Sequence, residues 1–481
     1  MFGIDIVYVL LGGILFLLLF LFIISLTPGK DKNMKPQEGR MPKFDFILAT
    51  NRNKLHFNPY DGFIAYAGAN SGKTKSIGKP LLREYIRYFF AGFVYDYKDF
   101  DLTRTVNHLC KKFDYPYNVY NISFTDLNKS HRTNPISPKV VGDENLFIQL
   151  ITDLLDSYIL EGKKNEWYNG ALGILRGVAI NFFHLYPDIC TIPHIVNFIC
   201  SAGSDRLVKF VEQTYESRVL ASAFLDAKES PKTKASYLST LTNYISVLAF
   251  NKNISYILTG NDFEFNLIDP KDPKLVCVAN SYQMESLISP IIALMLTLSS
   301  RRFTMNNNIP FVFFLDEATS FTIPDFEKMP SVLREYKCSF TVLTQSGAKL
   351  EKRYGKLDRS SIEANLANQF YGRTKDVEAL KYYPVVFGKF DKKKKSKTTG
   401  SSTSGSNQSQ TISTQKEDKY DSSFFTRLSA GQFVGTANKR DFFAHFDMYK
   451  EEEEPLPVVR TVFEKDIDRC IEKIRDDIKC L

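Results

Sequence analysis

Residues 67–74 read Ala-Gly-Ala-Asn-Ser-Gly-Lys-Thr, and they carry the chemical groups that bind a phosphate chain. Gly72 lets the backbone turn its N–H groups toward phosphate oxygens, Lys73 can reach the β- and γ-phosphates, and Thr74 can ligate Mg²⁺. Further contacts are expected from the preceding loop residues, Gly68, Ala69, Asn70 and Ser71. The segment therefore predicts a site for ATP and Mg²⁺, although Ala67 stands where the usual pattern has glycine.

A second segment, residues 310–317, is an apolar run that ends in two adjacent carboxylates. Asp316 is expected to hold Mg²⁺ through water or Thr74, and Glu317 to orient and polarise the attacking water. The alternative is an ordinary buried strand that ends in a surface Asp-Glu pair. Because a phosphate-binding loop is present in the same chain, the catalytic interpretation is favoured.

Two polar residues farther along the chain are candidates for assisting this chemistry. Gln345 ends the strand-like segment 339–346, where a polar side chain beside the carboxylate strand can sense the γ-phosphate. Arg334 lies within residues 325–337, on a different face from an apolar stripe with helical spacing. It is predicted as an arginine finger for a neighbouring subunit's nucleotide, with a solvated helix charge as the alternative.

Strands and helices in alternation must position these groups. Patterns typical of strands occur at 62–66, 92–97, 117–122, 275–279, 310–317 and 339–346. Helical periodicity dominates from 145 to 258, which predicts an all-α domain inserted between the two parts of an α/β domain, 44–144 and 259–447. A helical cap with only a packing role is the alternative for the insertion.

The N-terminal residues predict a membrane anchor. Residues 6–26 are an uncharged run rich in Leu, Ile and Phe, about 30 Å long as a helix. They predict one transmembrane helix within 1–27; a cleaved signal peptide is disfavoured because the basic n-region and the cleavage site are missing. A basic linker at 28–43 follows, which favours a cytoplasmic location for the main body. No later segment is predicted to span a membrane.

The net charge, the cysteines and histidines, and two segments near the C-terminus indicate which other kinds of site to expect. The net charge of +8 only weakly favours a nucleic-acid partner, and the scattered cysteines and histidines lack zinc-binding spacing, so no structural metal site is predicted. Residues 391–418 are lysine-rich and then rich in Ser and Thr, which predicts a disordered surface loop, either solvated or in contact with DNA phosphates. Residues 448–481 predict an acidic run and an amphipathic helix whose partner surface is not specified.

Five stretches resemble the type IV coupling proteins of the TraG/TraD kind, which are ring ATPases of conjugation and type IV secretion. They are the loop at 67–74, Phe-Val-Tyr-Asp-Tyr-Lys at 93–98, Thr-Asn-Pro-Ile at 133–136, the segment from Leu315 to Tyr336, and the segment from Thr344 to Gly355. Residues 428–434 are similar to the closing segment of that family. Tyr97 stands where the family usually has proline, and one transmembrane helix is predicted where it usually has two.

The resemblance implies a RecA-like P-loop NTPase domain that carries the all-α insertion and the membrane anchor. It implies an ATP site formed by Lys73, Thr74, Asp316 and Glu317, with Gln345 as sensor, Arg334 acting in trans, and Lys98 near the nucleotide. It also implies a homohexamer in a bacterial inner membrane that passes relaxase-linked single-stranded DNA to secretion components. A coupling ATPase or docking scaffold for protein effectors alone remains the alternative, and a chromosome translocase is disfavoured.

Overall fold

The computed structural model describes residues 43–159, 164–227, 230–304, 307–402, 405–437 and 440–481. The predicted transmembrane helix and all of the predicted basic linker except Lys43 lie outside the described residues. Within them, Tyr282–Arg301 is the one helix whose length and composition would allow a membrane span, which the sequence analysis did not expect. Because 72% of its apolar window is buried inside the fold, this helix is placed as a core helix.

A large mixed sheet organises the described chain. The strands are β1 Phe46–Ala49, β2 Lys54–Phe57, β3 Phe63–Tyr66, β4 Ala91–Asp96, β5 Asn118–Ser123, β6 Lys274–Ala279, β7 Phe311–Asp316, β8 Cys338–Thr344, β9 Asn368–Tyr371, β10 Lys389–Ser402, β11 Gly405–Asp418, β12 Gln432–Ala437 and β13 Arg440–His445. Among the described residues, nine of them pair in the order β13-β12-β9-β3-β8-β7-β4-β6-β5. Strands β9 to β5 are parallel, and β12 and β13 close one side in antiparallel pairing.

The central strands are buried on both faces, as expected for a parallel sheet covered by helices. Side chains that alternate along a strand enter two different apolar clusters. Ile64 and Tyr66 of β3 belong to one cluster, and Phe63 and Ala65 belong to the other. This two-sided packing fixes the register of β3, so the loop that follows Tyr66 has a defined starting point.

Helices cover the sheet and fill the region between β5 and β6. They are α1 Lys79–Arg87, α2 Asp101–Lys112, α3 Pro138–Val141, α4 Glu144–Asp156, α5 Glu166–Leu185, α6 Ile192–Val211, α7 Tyr215–Leu220, α8 Ser222–Asp226, α9 Pro231–Phe250, α10 Lys252–Leu258, α11 Glu285–Arg301, α12 Met329–Arg334, α13 Gly347–Asn365, α14 Val377–Phe387, α15 Ser422–Arg427 and α16 Glu464–Lys479. Helices α4 to α10 occupy the segment in which the sequence predicts an all-α domain. Their side chains share one continuous apolar core with the sheet.

The expectation of a disordered loop at 391–418 is wrong. Strands β10 and β11 form an antiparallel hairpin, with Lys389 opposite Asp418 and Ser402 opposite Gly405. Composition predicted disorder because this segment cannot bury an apolar core. The backbone N–H and C=O groups of the two strands pair with each other, and the base of the hairpin is held on the fold by Phe387 and Tyr420.

The C-terminal tail folds back onto the chain itself. The acidic run contacts α1 and α2, and Glu453 lies 3.0 Å from the ammonium of the buried Lys79. The amphipathic helix α16 buries Ile471, Ile474 and Ile478, and it packs against α6 and α10. Its apolar stripe, whose partner the sequence left open, is therefore covered by the protein's own helices.

Candidate functional site

The phosphate-binding loop leaves β3 at Tyr66 and is held by backbone contacts on both sides. The N–H of Ala67 donates to the carbonyl of Thr344 at the end of β8 (3.2 Å), and the N–H of Gly68 donates to the carbonyl of Arg373 after β9 (2.9 Å). Within the loop, the Ser71 hydroxyl donates to the Gly68 carbonyl at 2.5 Å. Ala69 and Asn70 are exposed at the tip. The loop is thus tied to the two strands that flank β3.

Alanine at position 67 is compatible with this geometry. The backbone of Ala67 does not adopt a positive φ, so a side chain costs no left-handed strain there. Its methyl group is fully buried, and it lies beside Gly372, where an added Cβ would come within 2.9 Å of it. The glycine at 372 therefore provides the space that the alanine at 67 requires.

A turn from the last part of the chain closes against the loop. Gly72 has φ of +88°, and a Cβ at this position would lie 2.7 Å from the backbone nitrogen of Gly431. The N–H of Gly431 donates to the carbonyl of Ser71 at 2.9 Å. Residues 428–434, singled out in the sequence as a closing segment, thus contact the phosphate loop directly.

The helix after the loop begins with a wide turn. Lys73–Gly78 forms a π-helical turn, in which the N–H of Lys79 donates to the carbonyl of Thr74. Pro80 follows and has no N–H to donate, and its ring would clash with the carbonyl four residues earlier, which favours the wider register. Lys73 and Thr74 sit on this turn, at the positive end of the α1 dipole.

Lys73 faces Glu317 across the edge of the sheet. Its ammonium lies 3.5 Å from Oε2 of Glu317, and both side chains are buried. Burial lowers the pKa of Lys73, and the carboxylates of Glu317 and Asp316 only partly oppose that shift. A buried cation whose desolvation is incompletely offset is a group that an incoming phosphate would stabilise.

Glu317 occupies a strained backbone position directly after β7. Its φ of +53° lies in the left-handed region, which costs a residue with a Cβ about 1–2 kcal/mol. Burial acts to raise its pKa, but the ammonium groups of Lys73 and Lys349 and the Thr319 hydroxyl outweigh burial, so the net shift is downward. The carboxylate is therefore kept ionised and aimed into the site.

Lys349 is a member of this site that the sequence analysis missed. Its ammonium lies 3.4 Å from Oε1 of Glu317 and 2.9 Å from Oε1 of Gln345. Arg353, one turn farther along α13, donates to the carbonyls of Thr319 and Ser320. The four-residue spacing of Lys349 and Arg353 on α13, directly after Gln345, was the available signal, because residues four apart share one helix face.

The strand β4 contributes a structural carboxylate and two nearby side chains. Asp96 is fully buried and accepts hydrogen bonds from the N–H and hydroxyl of Thr103 (both 2.8 Å), so it fixes the start of α2. Lys98 is exposed, and its charge acts on Lys73 and Asp316. Tyr97 donates its hydroxyl to Glu285 at 2.8 Å.

Arg334 does not join these residues. It lies at the end of α12, just before β8, whereas the site lies after the last residue of β8; the strand's length of about 20 Å separates them. Its guanidinium donates to the carbonyl of Asn365 (3.2 Å) and lies 3.9 Å from Asp61. It therefore cannot reach the site of its own chain, and a role in trans stays a prediction.

The oxygen groups at this edge are suited to Mg²⁺ bound together with a nucleotide. Thr74 supplies a hydroxyl and Asp316 a buried carboxylate, and Mg²⁺ is usually held by one or two such groups, with phosphates and water completing the octahedron. Among the described residues no group of three or more His, Cys, Asp or Glu is placed to hold a metal alone. Next to the loop, the buried hydroxyls of Ser76 and Thr344 have no hydrogen-bond partner among the described residues. The residues present thus fit a cation that arrives with phosphate.

The phosphate loop follows β3 and the acidic Glu317 follows β7, and β8 lies between these two strands in the sheet. This arrangement defines a P-loop nucleotide-binding fold. The family model for type IV secretory system conjugative DNA transfer matches residues 31–418, and the chain belongs to this family. This finding confirms the family that the sequence resemblance indicated. Comparison with curated proteins returns no match.

Solved structures of coupling proteins share the fold. The bacterial conjugative coupling protein TrwBdeltaN70, in an unbound form, is 13% identical with a TM-score of 0.64, over 88% of this chain and 91% of that chain. The plasmid coupling protein TrwB in complex with ADP and Mg²⁺ is 13% identical with a TM-score of 0.64, over 87% and 97%. At this identity the likeness establishes the α/β fold, which confirms the predicted fold class for the described residues.

Proposed function

We propose that this chain is a membrane-anchored ATPase that couples ATP hydrolysis to the transfer of DNA into a conjugative type IV secretion channel. Membership of the conjugative DNA transfer family supports the process. The observation that supports the chemistry is the contact of Lys73, in the phosphate loop after β3, with Glu317, which follows β7 on the far side of β8.

In this proposal each side chain has a separate task. Lys73 exchanges its contact with Glu317 for the β- and γ-phosphates, and the loop N–H groups from Gly68 to Thr74 bind phosphate oxygens. Mg²⁺, held by Thr74 and Asp316, would neutralise the charge of the phosphate chain. Glu317 then accepts a proton from the attacking water, and Gln345 contacts the γ-phosphate.

Several partners complete the proposal. The predicted helix within 1–27 anchors the chain in the bacterial inner membrane, with the main body in the cytoplasm, and six copies form a ring. Helices α4 to α10 recruit the substrate, a relaxase-linked single strand, and the inner-membrane components of the secretion system receive it. Arg334 completes the site of the adjacent copy, and Lys98 contacts the nucleotide. TrwB structures with ADP and Mg²⁺ support the choice of ligand.

The test of this function is ATP hydrolysis by the full chain with and without single-stranded DNA. Hydrolysis that DNA stimulates, and that Lys73→Ala abolishes, is the expected result. A rate of hydrolysis that DNA does not change would favour the alternative, a coupling ATPase for protein effectors alone. An assembled protein that binds ATP but never hydrolyses it would leave a docking scaffold and contradict the ATPase.

A further inference from the structure

The hairpin formed by β10 and β11 is a separate two-stranded ribbon. Among the described residues it pairs with itself and not with the nine-stranded sheet. Each strand has 14 residues, which corresponds to a length of about 46 Å. Its base is fastened to the fold, since the N–H of Lys419 donates to the carbonyl of Gly388 and the ring of Phe387 contacts that of Tyr420.

Charge is segregated along this ribbon. Its acidic residues, Asp391, Glu417 and Asp418, all lie in the first three register pairs at the base. Residues 392–415 contain five lysines and no carboxylate, so this part carries a formal charge of +5. The basic character is therefore concentrated away from the body of the protein.

The four consecutive lysines 392–395 are exposed and only partly neutralised. Lys392 and Lys394 lie 2.8 Å and 3.6 Å from Glu417, so they share one carboxylate. Lys393 and Lys395 have no ion-pair partner among the described residues. Because side chains alternate along a strand, lysines project from both faces of the ribbon, about 7 Å apart on each face. The positive charges of these lysines repel one another, and a bound polyanion would relieve that repulsion.

The opposite strand adds neutral hydrogen-bonding groups beside the lysines. Lys392, Lys393 and Lys394 stand opposite Gln415, Thr414 and Ser413. Amide and hydroxyl groups of this kind bind phosphate and sugar oxygens. Phe390 lies at the base of β10, and residues 391–418 contain no aromatic residue, so the part of the hairpin that carries the lysines offers no ring for stacking on bases. Ile412 is their only large apolar residue, too little for insertion into a lipid interface.

We propose that the hairpin of β10 and β11 binds the phosphate backbone of DNA, without regard to sequence, through Lys392, Lys393, Lys394 and Lys395. The choice of DNA over another polyanion rests on the proposed function. The hairpin adds to that function a specific surface, separate from the nucleotide site, that holds the transferred strand.

The experiment measures binding of the full chain in detergent to a labelled single-stranded oligonucleotide across a range of salt concentrations. For four lost phosphate contacts, changing the four lysines to glutamine should reduce the slope of log affinity against log salt by about 3. The matched variant with four arginines should keep the wild-type slope. Two oligonucleotides of unrelated sequence should bind equally, and hydrolysis of ATP without DNA should be unchanged in both variants.

Other outcomes overturn the proposal. A glutamine variant that binds DNA with the wild-type slope would exclude the hairpin while leaving DNA-stimulated hydrolysis, and hence the proposed function, intact. Loss of binding to vesicles with anionic lipid, with DNA binding unaffected, would assign the hairpin to a membrane surface instead. A wild-type chain that binds no DNA at any salt concentration would refute it outright.

Discussion

The ammonium of Lys73 lies 3.5 Å from Oε2 of Glu317, and the other oxygen of that carboxylate, Oε1, lies 3.4 Å from the ammonium of Lys349. Glu317 is thus held between a lysine of the phosphate loop and a lysine of α13. In the proposed mechanism Lys73 leaves this carboxylate for the phosphates. Lys349 would remain to hold the carboxylate in position once nucleotide has bound.

Neutralising Lys349 should therefore slow hydrolysis without weakening ATP binding. We expect Lys349→Met to lower kcat by about 10- to 100-fold, since a misplaced base loses part of its catalytic effect, with KM for ATP little changed. Lys349→Arg should recover part of the rate. Lys356→Met, which removes an exposed charge from the same helix, is the control. An equal loss of kcat in both methionine variants would show that Lys349 has no specific role.

The contact of Gly431 with the phosphate loop predicts an effect on nucleotide binding. Gly431 has φ of +84° and lies against His445 and Phe446, so Gly431→Ala should lower the free energy of unfolding by about 1–3 kcal/mol and weaken ATP binding. Gly142 has φ of +76° with open space around it, so Gly142→Ala should cost about 1–2 kcal/mol and leave ATP affinity unchanged. Denaturant unfolding and ATP titration measure the two effects. Identical ATP affinities would contradict the proposed support of the loop.

Asp316 predicts a dependence of stability on pH. Burial raises the pKa of Asp316 to about 6, against the opposing effect of Lys73. Between about pH 4 and 6 the folded carboxyl keeps a proton that the unfolded chain has released, so its contribution to the free energy of unfolding falls as the pH rises.

Asp316→Asn should remove this contribution. At about pH 8, without nucleotide or Mg²⁺, the variant should be more stable than the wild type by about 1–3 kcal/mol, and the difference should shrink toward pH 4. Denaturant unfolding at several pH values measures it. A variant less stable than the wild type at every pH would show that Asp316 makes stabilising contacts when ionised.

Arg334 predicts complementation between subunits. Because it lies at the opposite edge of the sheet from its own site, Arg334→Ala should leave ATP binding unchanged. If it acts in trans, as proposed, mixing the inactive Lys73→Ala chain with the Arg334→Ala chain should restore hydrolysis above either chain alone. A mixture no more active than its components would remove Arg334 from the site.

The parts of the fold that the sequence predicted are those with strong local signals. The fully buried strands β3 and β7 are apolar runs, β8 alternates apolar residues with Ser and Thr, and each is followed by residues whose chemistry is recognisable. Parallel pairing then places their carboxyl ends at one edge, so the closeness of Lys73 and Glu317 followed from the motifs.

The features that the sequence did not predict depend on contacts that the residue pattern does not show. The role of Gly431 becomes visible only when residues 428–434 fold back against Gly72, more than 350 residues earlier in the chain. Lys349 was missed because a lysine on a helix is usually solvated. The hairpin of β10 and β11 was missed because composition measures the ability to bury a core and says nothing of backbone pairing.

The most direct test of the central claim is the effect of Glu317→Gln on the hydrolysis of bound ATP. The variant should bind ATP as the wild type does and hydrolyse it about 100- to 10,000-fold more slowly, because the amide cannot accept the proton of the attacking water. Glu335→Gln, which changes an exposed carboxylate beside Arg334, should hydrolyse ATP normally. If Glu317→Gln hydrolyses bound ATP at the wild-type rate, Glu317 is not the base and the assignment of this site is wrong.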